Sequence, residues 1–251
     1  MPKQNRQSTR DRQSERKDKA SYSSKVAFQP TNDWKLDWFT PTKKQMDIVD
    51  AMHEYDLTLV QAPSGCGKSS VAIWKALNDL KQGHYRKILF LKNPTEVGDD
   101  MIGYLKGEAT DKLKVHFAEM KRIFLQFISR GKLEADESKG TIEFSIPNFQ
   151  LGSTHENTLI IIDEAQTMSP STLKLLIERT GEGSRVVVLG DYKQRYSIKK
   201  REDGFTDLIE KVTEVIDGER VSIEDLIEYV ELSTDENQRS ALSKRITELY
   251  A

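Results

Sequence analysis

The chain has one cysteine, Cys66, and only four histidines among 251 residues. A single thiol excludes an internal disulfide and a cysteine-rich zinc site. His53, His84, His116 and His155 share no metal-ligand spacing and read as ordinary polar residues. The scarcity of cysteine fits a reducing, cytoplasmic setting. No apolar run approaches the roughly 18 residues needed to cross a bilayer, which excludes a membrane-spanning helix. The opening residues, Met-Pro-Lys-Gln-Asn-Arg, lack the apolar stretch of a secretory signal. A strong net charge is also missing, since 38 Lys and Arg stand against 40 Asp and Glu for a formal charge of −2.

That near-balance conceals an asymmetry. Residues 1–25 carry eight basic and three acidic side chains, a net of +5, which leaves −7 on the remaining 226. An acidic body does not bind nucleic acid over its whole surface, so any such contact must come from local patches or from the tail. The first 28 residues are rich in Arg, Lys, Gln and Ser and cannot bury enough apolar surface to offset the entropy of ordering. They are expected to form a disordered basic tail, either solubilising or touching phosphates or a partner, ahead of one domain over residues 29–251.

Within that domain, short β-type runs alternate with helical patterns. Leu57–Gln61, Lys87–Leu91, Thr141–Ile146, Leu159–Ile162 and Arg185–Leu189 read as strands. Helical spacing covers Val71–Leu80, about 112–130, Ser171–Arg179, about 204–216, and a final stretch from about Gln238, with a further strand at Ile227–Leu232. Strands alternating with helices predict an α/β fold with a parallel sheet covered by helices on both faces. Leu159-Ile160-Ile161-Ile162 is apolar without alternation, as a central strand buried on both sides should be.

Ala62-Pro63-Ser64-Gly65-Cys66-Gly67-Lys68-Ser69 follows the first strand and opens the first of these helical patterns. It matches the phosphate-binding loop G-x-x-x-x-G-K-[ST] except at Ala62, where the first Gly usually stands. Gly65 and Gly67 let backbone N–H groups point inward, and the helix that follows presents its positive end to phosphates. Residues Ala62 to Ser70 form the expected cradle. Lys68 can reach the β- and γ-phosphates, and the Ser69 hydroxyl can ligate Mg²⁺. Cys66, inside the loop, reads as a small tolerated side chain or as a thiol activated by the lysine and the helix end.

Two carboxylates, Asp163 and Glu164, close the apolar run 159–162. Ligands bind at this edge of open α/β sheets, so Asp163 is placed to hold Mg²⁺ and Glu164 to polarise a water as general base. A third apolar run ends in Gly190-Asp191-Tyr192-Lys193-Gln194. The neutral Gln194 amide can hydrogen-bond a γ-phosphate or the attacking water without adding charge. An activated water argues against a small-molecule kinase, which must exclude water.

Taken together, these motifs resemble the PhoH family of P-loop ATPases, and through it the motor core of superfamily 1 helicases. The resemblance runs from about Pro41 to Tyr250. It implies a single RecA-like domain, from a bacterial or phage-encoded chain, that uses ATP and Mg²⁺. It implies that Gln45 reads adenine and that Arg239, in Asn237-Gln238-Arg239-Ser240, faces the γ-phosphate. Pro94–Gly98 and Gly103–Gly107 are similar to the family's stretch after the second strand. Three arginines common in the family are absent: Lys92-Asn93-Pro94 stands for Thr-Arg-Pro, and Leu151-Gly152-Ser153-Thr154 for Arg-Gly-Arg-Thr. Superfamily 1 motors place ATP between two RecA-like domains, and this chain has room for one. The resemblance therefore implies a ring, a hexamer, in which Arg179, Arg185 or Arg239 of a neighbour completes the site. It also implies RNA or single-stranded DNA as partner. Tyr192 to Arg201 interleaves two tyrosines with five basic residues, which suits stacked bases and tracked phosphates as well as it suits a solvated loop. The competing reading is a nucleotide-gated switch that holds a protein. Trp34, Trp38 and Phe39 are expected to pack against the core rather than to stack on adenine.

Overall fold

The computed structural model describes residues 32–94, 109–193, 203–237, 240–242, 245 and 249. The chain divides between Asn32 and Asp33, and every element below belongs to Asp33–Ala251. The expected tail over 1–28, the stretch 95–108, Gln194 and the basic residues that follow it, and Arg239 lie outside the described residues.

The strands are β1 (Leu57–Gln61), β2 (Lys87–Lys92), β3 (Ile142–Ser145), β4 (Thr158–Asp163), β5 (Arg185–Gly190), β6 (Thr213–Ile216), β7 (Glu219–Ser222) and β8 (Ile227–Glu231). Six of them form one parallel sheet in the order β3-β2-β4-β5-β1-β8. The helices are α1 (Lys43–Glu54), α2 (Lys68–Gln82), α3 (Ala109–Phe127), α4 (Arg130–Ser138), α5 (Pro147–Gln150), α6 (Pro170–Ile177) and α7 (Gly204–Val212).

Alternate strand residues feed two cores, so the sheet is covered on both sides as its apolar strands demand. Val60, Phe90, Leu159, Ile161 and Leu189 pack with α1, α2 and α3 through Ile48, Val71, Ile73 and Phe124. Leu59, Leu91, Ile160, Ile162 and Val188 pack with α6 and α7 through Leu173, Leu176, Phe205 and Ile209. The α/β parallel-sheet fold expected from the alternation is the one observed.

Several elements differ from the sequence expectation, among them the short helix α5, which it does not contain. The helix expected over about 112–130 stops at Phe127, because the Ser129 hydroxyl caps a new helix by accepting the Lys132 N–H at 3.1 Å. The helix expected over about 204–216 stops at Val212. Thr213–Ser222 instead forms a hairpin, β6–β7, whose Asp217 and Gly218 take φ of 52° and 86°, both in the left-handed region that a tight hairpin turn needs. Helix α1 has no counterpart among the expected elements. Thr42 and Gln45 start it with a reciprocal capping box. Of the described residues in the final stretch, Ala241, Leu242, Arg245 and Leu249 are helical as expected, and Ser240 is not.

Candidate functional site

The C-terminal ends of β1, β5 and β4 lie side by side, because β5 sits between the other two. This one topological fact brings three motifs that are distant in sequence to a single edge. The loop after Gln61 turns into α2 through Gly65 (φ 91°) and Gly67 (φ 77°), conformations that a side chain would strain. Gly67 caps α2 without a side-chain hydrogen bond, so the N–H groups of the first turn are left for an anion. Ala62 is fully buried, and its N–H donates to the Gly190 carbonyl at 3.1 Å, tying the loop to the end of β5. The missing first glycine is thus replaced by a residue that fits its enclosed position. Lys68 is buried at the start of α2.

Ser69 Oγ donates to both oxygens of Asp163, at 3.1 and 3.2 Å. Asp163 is only 3 % exposed. Burial raises its pKa above the ordinary value, and the Glu164 charge raises it further, while Lys68, Lys92 and the Ser69 hydrogen bond pull it down. Its carboxylate therefore sits where a positive charge would be welcome. Glu164 takes φ 54° and ψ 43°, a left-handed conformation that costs a non-glycine residue on the order of 1–3 kcal/mol and that turns the chain sharply off β4. The Glu164 N–H donates to Asp163 Oδ1 at 3.1 Å, and its carbonyl accepts from Thr167 Oγ1 at 2.7 Å.

Among the described residues no group of three or more His, Cys, Asp or Glu could hold a metal ion. The Ser69 hydroxyl and the Asp163 carboxylate offer the sparse, all-oxygen donor set that suits Mg²⁺, which keeps most of its coordination for water and phosphates. These residues fit the metal that the motifs imply.

A second layer holds the loop from behind, and the sequence did not announce it. Gln45 is fully buried; its Oε1 accepts the Thr42 N–H at 2.9 Å and its Nε2 donates to the Cys66 carbonyl at 3.0 Å. Here it braces the loop. Cys66 is buried, and its thiol donates to the Ser233 carbonyl at 3.3 Å, the packed alternative of its two readings. Asn237 Nδ2 donates to the Ser64 carbonyl at 3.2 Å, and Thr42 Oγ1 donates to Glu236 at 3.1 Å. Gln61 and Gln166 join the site from the ends of β1 and β4, each buried. The signal for both was their position, the residue that closes an apolar strand and the residue two beyond Glu164.

Other candidates lie elsewhere. Arg185 begins β5, five residues before the site edge or roughly 16 Å along the strand. Its guanidinium donates to the Met52 carbonyl at 3.2 Å and to the His53 carbonyl, with Asp56 at 3.8 Å. Arg179 precedes the same end of β5, and its Nε has no hydrogen-bond partner among the described residues. A cavity of about 810 Å³ opens at that opposite edge, between His53, Tyr85, Arg185 and Leu226. Phe39 packs edge-on against Phe127 and tilted on Trp74, while Trp38 stacks on Phe127, as the packing expectation has it. Tyr192 is half-buried, and burial followed by the Glu231 charge raises its pKa.

Comparison with known proteins agrees with the motifs. A PhoH-like protein from Bacillus subtilis (strain 168) is 28 % identical over 209 residues, covering 83 % of this chain and 62 % of its own. Protein PhoH of Escherichia coli (strain K12) is 24 % identical over 215 residues, covering 82 % of this chain and 56 % of its own. The chain thus spans little more than half the length of these relatives. Among solved structures, the ATPase domain of a Thermus phage large terminase superposes with a TM-score of 0.49 at 13 % identity, over 85 % of this chain and 88 % of that one. The Pyrococcus furiosus Hef helicase domain gives 0.45 at 15 %, over 79 % and 39 %. With the family model for PhoH-like proteins matching residues 40–251, which takes in the loop, the acidic strand end and the third strand alike, the chain belongs to the PhoH-like family.

Proposed function

We propose that the protein binds ATP with Mg²⁺ at the β1–β4–β5 edge, hydrolyses it, and couples hydrolysis to RNA or single-stranded DNA as a cytoplasmic ring, a hexamer. The observation that carries this reading is the Ser69–Asp163 hydrogen bond, which joins the loop of one strand to the acidic end of another at 3.1 Å. Loop N–H groups and Lys68 would take the phosphates, and Ser69 and Asp163 would hold the metal. Mg²⁺, when bound, neutralises charge on the phosphate oxygens. Glu164 accepts the proton of the water that attacks the γ-phosphorus as the bond to ADP breaks. Gln194 and Arg239 are proposed for the γ-phosphate, with Arg239 or Arg179 supplied by a neighbouring subunit, since the Arg185 guanidinium is engaged by the carbonyls of Met52 and His53. The family membership supports nucleotide use, and the basic segment 192–201 supports the nucleic-acid partner.

Phosphate release from Mg·ATP, measured with and without RNA and single-stranded DNA, tests the reading. Turnover that needs Mg²⁺ and rises with either strand is expected. Turnover without stimulation, and without strand binding at low salt, overturns the coupling and favours a protein-binding switch. Sedimentation of the active species as a monomer, at full specific activity whatever the concentration, overturns the ring.

A further inference from the structure

Strand β8 closes the six-stranded sheet on one side and, among the described residues, pairs with β1 alone. Successive residues of a parallel strand direct their N–H and C=O groups alternately to its two sides. The Leu57 N–H donates to the Leu226 carbonyl, and the Leu232 N–H donates to the Gln61 carbonyl. With the register of the pair, these bonds turn Glu228 and Val230 towards β1 and leave Ile227, Tyr229 and Glu231 facing outwards. The chain just before β8 satisfies the first of the three. The Ile227 N–H donates to the Glu224 carbonyl at 3.2 Å, and its carbonyl accepts from Ser222 Oγ at 2.6 Å. The outward backbone groups of Tyr229 and Glu231 have no partner among the described residues. Such an edge is a template for another strand.

This edge forms the floor of a groove of about 600 Å³ between α1 and the β6–β7 hairpin. Its walls are acidic. Helix α1 supplies Asp47, Asp50 and Glu54, the hairpin supplies Glu219, and β8 itself supplies Glu228 and Glu231. The two cations of the lining are engaged: Lys44 lies 3.4 Å from Asp47, and Arg220 donates to Thr213 Oγ1 at 2.8 Å. Asp50, Glu54, Glu219 and Glu228 form no ion pair among the described residues. The Tyr55 hydroxyl feels this field, since the Glu228 charge, ahead of burial, raises its pKa. Phosphates are repelled by a groove of this sign, which excludes a nucleic-acid strand. A metal ion is no better suited, because no group of three or more His, Cys, Asp or Glu among the described residues could hold one.

We infer that this groove docks an extended, Lys- and Arg-rich segment of a partner protein, which adds to β8 as a further strand. The segment's backbone pairs with the outward groups of Tyr229 and Glu231, and charge selects its side chains. Val230 belongs to the core beneath α1 and Tyr229 to the core beneath α7, so side chains along this edge alternate between two faces. An added strand alternates in the same way. Its basic residues meet Glu228 with the carboxylates of α1 on one face, and Glu231 with Glu219 on the other.

The probe is a synthetic peptide of alternating Lys and Val. Its controls are an alternating Glu and Val peptide and a Lys–Val peptide N-methylated at every amide. Binding to the full chain is measured at low and high salt, together with hydrogen exchange at the Tyr229 and Glu231 amides. The Lys–Val peptide should bind, slow exchange at both amides and weaken as salt rises, while each control binds at least about tenfold more weakly. Glu219→Lys combined with Glu228→Lys should weaken the Lys–Val peptide on the order of tenfold. Glu231→Pro removes an outward N–H that the sheet does not use, and it should weaken binding further than Glu231→Gln, which keeps that N–H. The methylated peptide makes the same test without altering the protein. Equal binding of the methylated and unmethylated peptides overturns strand addition. Equal binding of the Glu–Val peptide overturns the basic partner. Amides already protected in the protein alone, and released by Glu219→Lys with Glu228→Lys, would give the groove to another part of this chain. Sedimentation that rises with concentration and reverts in that same double variant would give it to a second copy. Either result overturns the partner protein as occupant.

Discussion

Gln45 lies across Gly67. A Cβ on that glycine would stand 2.7 Å from the Gln45 Nε2, the same atom that donates to the Cys66 carbonyl. Gly67 also holds φ 77°, so two constraints meet at one position. Gly67→Ala should therefore lose stability by at least about 1–2 kcal/mol from the backbone alone, and lose nucleotide binding because the loop can no longer close. Adding Gln45→Ala should relieve the clash and restore part of the stability, while binding stays weak because the Cys66 carbonyl has lost its donor. Thermal unfolding and analogue binding on the two single variants and the double variant check this. Equal stability of Gly67→Ala and the double variant would show that the side chains do not collide.

The divided roles of Lys68 and Glu164 predict opposite phenotypes. Lys68→Ala should impair phosphate binding itself, since it removes the buried charge at the head of α2. Glu164→Gln should still bind ATP while hydrolysis drops at least about 10²-fold, the lower range for losing a general base. Glutamine at 164 also retains an oxygen that can accept from Gln166 Nε2, which donates to Glu164 Oε2 at 2.7 Å, so the fold around it should persist. Normal turnover in Glu164→Gln would remove the assignment of the base.

Asp163 predicts a trade between stability and function. Its folded pKa is raised above 3.8, chiefly by burial. For an acid the sign is then fixed: between the unfolded and folded pKa values the folded state binds more protons, so stability falls as pH rises through that window. Asp163→Asn removes the penalty of the buried charge. Its Tm should exceed that of the unaltered protein at pH 7, and the gain should vanish near pH 4, where the unfolded group also protonates. The same variant should lose Mg²⁺-dependent nucleotide binding. A lower Tm for Asp163→Asn at pH 7 would mean that Lys68 and Lys92 outweigh the burial.

The chemistry-bearing residues were legible because their spacing is local. Gly65, Gly67, Lys68 and Ser69 follow a strand and open a helix, and Asp163 and Glu164 end a run too apolar for anything but a central strand. Their meeting was legible only as a rule about sheet edges; the order that sets β5 between β1 and β4 is a long-range pairing that no local pattern encodes. The bracing contacts were not legible for the same reason. Cys66 to Ser233, Ser64 to Asn237 and Thr42 to Glu236 join residues more than 160 positions apart. The β6–β7 hairpin was missed because Ile209, Val212 and Ile216 continue a helical stripe, and only Asp217-Gly218 marks the turn that ends it.

Arg185 separates a structural arginine from a catalytic one. Sited at the sheet edge opposite the loop, its guanidinium takes the carbonyls of Met52 and His53 in the last turn of α1, where a helix leaves acceptors unpaired and favours a cation. An arginine that reaches a neighbour's phosphate would have to give up these bonds and the Asp56 contact at 3.8 Å. Arg185→Ala should therefore cost about 1.5–3 kcal/mol of stability, as expected for lost hydrogen bonds from a charged group. That corresponds to a fall in Tm of roughly 3–12 °C for a chain of this size. Turnover per folded molecule should be retained, so that a variant assayed well below its Tm releases phosphate at the rate of the unaltered protein. A loss of kcat at unchanged Tm would reverse the assignment and make Arg185 the residue that one subunit lends to the next.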